Sequence, residues 1–296
     1  MPARTMTPRS CAPAQRGETA PAIAPVAALL TRRAFLGVAA ATACAGASLL
    51  AGCGSGGAPG AAAPVDIPCP YDWANLRWEE GRPVYYEGDQ ARSRWGVDVS
   101  EHQRAVDWEA VAGAGAQFAF VRIGNRGATE GKLDVDEFFF QNVDGATRAG
   151  VPLSAYFFSQ SVNEDEAREE AAFAIEQLRV AMEQGASFQF VAYDHEPVDI
   201  EGARANDLPA EQFAANARAF CDAVAEAGFD PMVYGNQSDL GRLTVEERRA
   251  WPLWLAEYGV EAPTAPYAFA LWQYTNKGTV PGIDTDADLN IWFETR

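Results

Sequence analysis

From about residue 93 the chain alternates short apolar runs with longer amphipathic stretches. Runs at 95–99, 118–123, 153–158, 188–193, 231–234, 253–256 and 269–274 predict strands. Between them, apolar positions at helical spacing predict helices near 106–113, 136–149, 163–184, 209–227 and 243–250. Asp107 has the side chain to open the first of these, and Gly150, Gly185 and Gly228 follow the ends of three. Near-continuous apolar strands separated by helices predict a parallel sheet buried on both faces. The segment 93–296 is small for eight strand–helix repeats. The predicted fold class is therefore α/β, a shortened, irregular (β/α) TIM-like barrel with short or missing helices.

Polar residues collect where these apolar runs finish: Asp98, Arg122, Ser159, Asp194 and Glu196, Asn236, Glu257 and Tyr258, and Gln273. In a parallel barrel the C-terminal ends of the strands form the active face. An open doubly wound sheet would place function at a crevice instead, and no glycine-rich phosphate loop follows any run.

The sharpest cluster is Asp194-His195-Glu196. Alternation along a strand puts Asp194 and Glu196 on one face, with Cα atoms roughly 6.5 Å apart, and turns His195 away. Two carboxyls at one mouth cannot both ionise cheaply, so one becomes a proton donor beside an ionised partner. Cleavage of a glycosidic bond requires such a pair. Asp98, and Asp288 near the C-terminus, enlarge the cluster to four carboxylates. A helix cap or a surface acidic pair is the structural alternative, and a hard cation the competing ligand. The chain has only two histidines, His102 and His195, which gives zinc little support. No metal and no cofactor are expected.

The first fifty residues read as an address. Arg32-Arg33 followed by Phe35-Leu36 and an alanine-rich apolar run to Leu50 resemble a twin-arginine export signal. Leu50-Ala51-Gly52-Cys53 resembles a lipobox. Residues 1–52 are thus expected to be a lipoprotein signal, with Cys53 lipidated. Residues 53–65 are expected to be a flexible tether to the outer face of the membrane, facing the cell wall. A simple membrane-anchoring helix is the alternative.

Charge sharpens this division. Residues 1–52 carry five Arg and one Glu, a surplus of four positive charges against a net charge of −18, so the rest carries −22. A body that acidic repels phosphate backbones, and nucleic acid is not an expected partner. Anionic cell walls would not attract it by charge either, which leaves tethering to supply local concentration. Cys69 and Cys221 remain outside the signal, and either a disulfide between them or two buried thiols satisfies the sequence. Residues 66–92 are rich in Trp and Tyr and read as an aromatic strap packed on the barrel, with a carbohydrate-contacting lip as the alternative.

Several segments together resemble the family-25 glycoside hydrolases, lysozymes of bacteria, phages and some fungi. The segments are Gly96-Val97-Asp98-Val99-Ser100 with Gln103 and Asp107-Trp108, Phe120 to Gly124, 136–150, and Ala155 to Ser159. Asp194-His195-Glu196, Trp254-Leu255-Ala256 with Tyr258, Trp272-Gln273-Tyr274, and 278–290 complete the set. Arg104 departs from the glycine usual after the Gln, Asn125 from a common aromatic, and His195 from a hydrophobic or aromatic residue.

The resemblance implies a barrel, spanning 93–296, that hydrolyses the β-1,4 bond between N-acetylmuramic acid and N-acetylglucosamine in peptidoglycan; tethering to the cell's own membrane adds the expectation of cell-wall turnover or remodelling. It implies Glu196 as general acid, Asp194 as assisting carboxylate, Asp98 and Asp288 as supporting carboxylates, and Tyr156, Tyr258 and Gln273 as sugar-binding residues. The expected partners are glycan strands and, through Cys53, the membrane; a monomer is expected. The rival reading is a non-catalytic glycan-binding surface lipoprotein on the same barrel. A chitinase-like site fails, because Gln189 and Ala192 stand where its acidic run needs Asp.

Overall fold

The computed structural model describes residues 65–294; Arg32, Arg33, Cys53 and nearly all of the 53–65 tether lie outside the described residues. Its chain-ordered strands are β1 (Leu76–Glu79), β2 (Arg82–Glu87), β3 (Gln90–Ala91), β4 (Ser93–Val99), β5 (Ala119–Arg126) and β6 (Leu133–Val135). They continue with β7 (Leu153–Phe158), β8 (Phe188–Asp194), β9 (Pro231–Asn236), β10 (Leu253–Ala256), β11 (Leu271–Gly278) and β12 (Ala287–Phe293). The helices are α1 (Trp108–Gly113), α2 (Phe139–Ala149), α3 (Glu164–Glu183), α4 (Ala210–Glu226), α5 (Gln237–Leu240) and α6 (Val245–Ala250).

Strands run in the order β4-β12-β11-β10-β9-β8-β7-β5, and β4 pairs with β5 to close the ring. Seven of these eight are mutually parallel, while β12 is antiparallel to both β4 and β11. The expectation of a TIM-like barrel holds, with a correction: the ring is closed by an antiparallel strand. With no helix between β11 and β12, a short connection can only return the chain in the reverse direction.

Inward-facing side chains fill the ring. Phe118, Phe120, Phe190, Met232, Trp254, Leu271 and Trp292 form one buried cluster, with Phe120 and Trp254 ring centroids 4.3 Å apart. Helix capping fixes the outer layer. Asp107 accepts from the Ala110 N–H at 3.1 Å, and Asn163 accepts from the Glu166 N–H at 2.9 Å, where three acidic residues complement the helix dipole. Gly150 ends α2 in the left-handed conformation at φ 72°.

Among the described residues, no helix packs closely on β11, β12 or β4. The outer faces there, including Trp272, Tyr274, Leu289, Ile291 and Phe293, are buried against residues 66–92 instead. Tyr71 stacks on Phe293 at 4.2 Å and donates to the Phe269 carbonyl at 2.8 Å, while Trp78 meets Trp272 and Tyr274 edge-on. The hairpin β1–β2 turns at Glu80-Gly81 with φ 49° and 78°. Both values are positive, as a two-residue turn matching strand twist requires.

Two further outcomes concern single residues. Cys69 and Cys221 are free thiols, so the disulfide alternative falls; Cys221 is on the buried face of α4 and Cys69 is half-buried in the strap. Arg104 sits at φ 58°, ψ −140°. That region favours glycine and costs another residue about 1–3 kcal/mol, which gives the departure at this position a physical meaning.

Candidate active site

The C-terminal ends of the parallel strands open into a cleft of about 230 Å³. Asp98 (end of β4), Asp194 (end of β8), Glu196 just beyond it, and Asp288 (start of β12) all line it. Asp98 and Asp288 are directly opposed across the antiparallel β4–β12 pair. Because β12 runs backwards, its N-terminal end reaches the mouth where its neighbours end. Tyr156, Tyr258 and Gln273 line the same cleft, Tyr156 and Gln273 buried and Tyr258 on the exposed rim. Every protein residue named above as a catalytic or sugar-binding candidate thus comes to one place.

Not every polar strand end does. Ser159 faces outward and donates to Glu170 at 2.6 Å. Asn236 caps α5, accepting from Ser238 and Asp239, and Glu257 binds Thr264. Strand parity separates Ser159 and Glu257 from the inward set, whereas Asn236 shares the parity of Met232 and Tyr234 and is withdrawn from the cleft by its capping role. His195 is buried behind the site, its Nδ1 3.2 Å from the Ser159 carbonyl and its ring packed near Tyr193 and Phe213. Burial holds its pKa down near 4, so it is neutral at neutral pH. His102 is exposed on the rim of the cleft.

A hydrogen-bond chain organises one wall. Trp254 Nε1 donates to Asn290 Oδ1 at 2.8 Å, and Asn290 Nδ2 donates to Asp98 Oδ2 at 2.7 Å. Gln273 Nε2 donates to the same Asp98 oxygen at 2.8 Å, while Gln273 Oε1 accepts from the hydroxyls of Tyr234 and Tyr258. Tyr234 and Asn290 were not singled out by sequence. The signal for Tyr234 was available, since it shares its inward parity with Met232 on β9. Arg122 is anchored outside this chain by Asp136 at 2.7 Å and Glu101 at 2.8 Å.

Burial dominates the electrostatics. Glu196 is pushed up to about 7 by burial and then by the charges of Asp98 and Asp239. Asp288 is pushed to about 8 by burial, Asp98 and Glu196. Asp194 is raised well above the carboxylate range by burial, then by Glu196 and Asp98. Asp98 is raised by burial but only to about 6, because the amides of Asn290 and Gln273 favour its charged form. The cluster therefore holds protons at neutral pH, with its negative charge resting first on Asp98. One further atom stands out: Asp194 Oδ1 is buried without a hydrogen-bond partner, in contrast to the doubly bonded Asp98. Among the described residues, no group of three or more His, Cys, Asp or Glu is arranged to hold a metal ion.

A profile of glycosyl hydrolases family 25 matches residues 97–283, which span the barrel from the end of β4 through β11, without β12, and hold three of the four cleft carboxylates. The chain belongs to glycoside hydrolase family 25. The autolytic lysozyme of Clostridium acetobutylicum is 27% identical over 202 residues, covering 67% of this chain and 56% of that protein. Lysozyme M1 of Streptomyces globisporus is 28% identical over 206 residues, covering 66% of each. The chain thus spans between about half and two thirds of the length of these relatives. In fold it is similar to the modular autolysin LytC of Streptococcus pneumoniae, solved with a synthetic peptidoglycan ligand. The TM-score is 0.60 at 21% identity, over 74% of this chain and 52% of that one. The family match begins at Val97, so the strap that covers β11 and β12 lies outside it.

Proposed function

We propose that this family-25 protein is a lysozyme, hydrolysing the β-1,4 bond between N-acetylmuramic acid and N-acetylglucosamine, with Glu196 as general acid. The observation that carries the reading is the pairing of Glu196, a carboxyl kept protonated by burial, with the unpartnered buried oxygen of Asp194 in the same cleft. Its lysozyme relatives support the substrate class.

Glu196 donates its proton to the leaving glycosidic oxygen as the bond breaks. Asp194 Oδ1 accepts the N–H of the substrate acetamido group and orients it toward the anomeric carbon, where positive charge develops; water then bonds to that carbon and gives its proton to the Glu196 carboxylate, restoring the acid. Asp98 adds negative potential to that charge, the amides of Asn290 and Gln273 keeping it the readiest of the cluster to ionise, while Asp288, pushed up to about 8, stands protonated opposite it. Tyr156, Tyr258 and Gln273 shape the sugar site around it.

A pH dependence follows. Above about 7 Glu196 loses the proton it must donate, and below about 6 Asp98 is neutralised. The profile of kcat/KM on solubilised glycan strands is expected to be bell-shaped with its maximum between these values, its limbs belonging to the cluster as a whole. A profile flat from pH 4 to 9 would contradict the assignment.

The location of the enzyme follows from residues 1–53. Export through the paired arginines and lipidation of Cys53 would hold the barrel on the outer face of the membrane, a place suited to remodelling of the cell's own wall. In cells fed labelled palmitate, the full chain is expected to take up label and Cys53→Ser to lose it. Equal labelling of both would end the anchor reading.

A further inference from the structure

A second cavity, larger than the cleft at about 480 Å³, lies on the other side of the cleft's own rim. Its walls come from the strap hairpin (Trp78, Glu80, Arg82) and from the end of β11 (Tyr274, Thr275, Lys277). Two short segments separate it from the catalytic cleft. On β11, Asn276 lines the cleft while Thr275 and Lys277 line the groove; after β10, Tyr258 lines the cleft and Gly259 the groove. Register shifts in the β11–β12 pairing at Thr275 and again before Gly278 turn these neighbours to opposite sides.

The chemistry of the groove runs against that of the chain. In a protein of net charge −18, it presents two cations and one carboxylate, Glu80 at the hairpin tip. Arg82 is half-buried, its guanidinium stacked 3.8 Å from the centroid of the Trp95 ring, and it has no carboxylate or carbonyl partner among the described residues. Stacking fixes the plane of a guanidinium and leaves its edge N–H groups free for a bidentate acceptor. The other walls are the half-exposed Trp78 ring and Tyr274, whose buried hydroxyl has no partner. An aromatic wall with an oriented, unpaired guanidinium suits a ligand that is partly apolar and carries a carboxylate.

In peptidoglycan that description fits the peptide substituent, which leaves the glycan strand laterally from the lactyl ether of the muramoyl residue. We infer that the groove between the strap hairpin and β11 binds the carboxylate of the glycan's stem peptide, with Arg82 as its principal ligand and Lys277 beside it. This rests on the proposed glycan specificity and adds to it a preference for peptide-bearing strands, built from residues 76–82 that lie outside the family match.

The test uses the full chain and its variants Arg82→Gln and Lys277→Gln, the second at an exposed position where folding is not at risk. Two substrates are compared: glycan strands with stem peptides, and the same strands stripped by an amidase. The expected result is a loss of about fivefold or more in kcat/KM on peptide-bearing strands and less than twofold change on stripped ones. Equal change on both substrates, or none on either, would overturn the inference. Calorimetric titration with an alanyl-γ-glutamyl dipeptide gives a readout independent of cleavage: wild type binds and both variants weaken it. Binding without hydrolysis of any strand would sustain the groove while removing the lysozyme reading. Hydrolysis without dipeptide binding would do the reverse. Tighter binding of glycerol phosphate than of the dipeptide would assign the groove to a phosphate polymer and overturn the peptide assignment.

Discussion

Glu196→Gln is expected to lower kcat on peptidoglycan by about 10³-fold while making the protein more stable at neutral pH. The first effect follows from removing the proton donor while keeping the shape; general-acid contributions are on the order of 10²–10⁴. The second follows from linkage. Folding raises the Glu196 pKa from 4.5 to about 7, so between those values the folded state binds more protons than the unfolded state. Stability contributed by this group is present below the unfolded value and is lost as pH rises through the folded one. Glutamine carries no such penalty. After discounting for partial solvent contact, the gain at pH 7.5 is about 2 kcal/mol and vanishes near pH 4. Thermal unfolding at the two pH values reads the difference directly. A variant equally inactive but destabilised at both would point to a structural role for Glu196.

The second large effect concerns stability alone. Deleting residues 66–92 from the full chain is expected to prevent soluble folding of the barrel. The strap covers outward faces of β11, β12 and β4 on which no helix packs closely among the described residues, and Tyr71, Trp73 and Tyr85 pack there around Phe269 and Phe293. Exposing a patch of that size invites aggregation. A graded version is Tyr71→Ala, which loses the stack on Phe293 and the hydrogen bond to the Phe269 carbonyl, for about 3 kcal/mol. Denaturant unfolding with an unchanged slope measures it. A deletion variant as soluble and as stable as the full chain would show that the strap is dispensable.

These two effects also mark what the sequence discloses and what it hides. The parallel strands are legible because they are buried on both faces and read as near-continuous apolar runs; 153–158 and 253–256 match their strands to the residue. The closing strand β12 is harder to read because its pattern is inverted: Asp288 and Asn290 point into the ring, while Leu289, Ile291 and Phe293 point outward under the strap. Asp288 is accordingly noted as one more carboxylate near the C-terminus, with no predicted strand to place it in the ring. The strap hairpin is masked by its turn, where Glu80-Gly81 replaces the asparagine–glycine pair that signals such turns. Strand β6 and helix α5 are too short to leave a period. At the site, Asp194 and Glu196 follow from two-residue alternation alone. The chain from Trp254 through Asn290 to Asp98 joins three distant segments and exists only once the ring has closed.

The central claim is that Glu196 protonates the bond between N-acetylmuramic acid and N-acetylglucosamine. Its most direct test is digestion of purified peptidoglycan by the full chain, with Glu196→Gln beside it, and mass spectrometry of the new reducing ends. Reducing N-acetylmuramic acid ends are expected from the wild type and essentially none from the variant. Reducing N-acetylglucosamine ends, a fully active variant, or no products from folded wild-type protein would each contradict it.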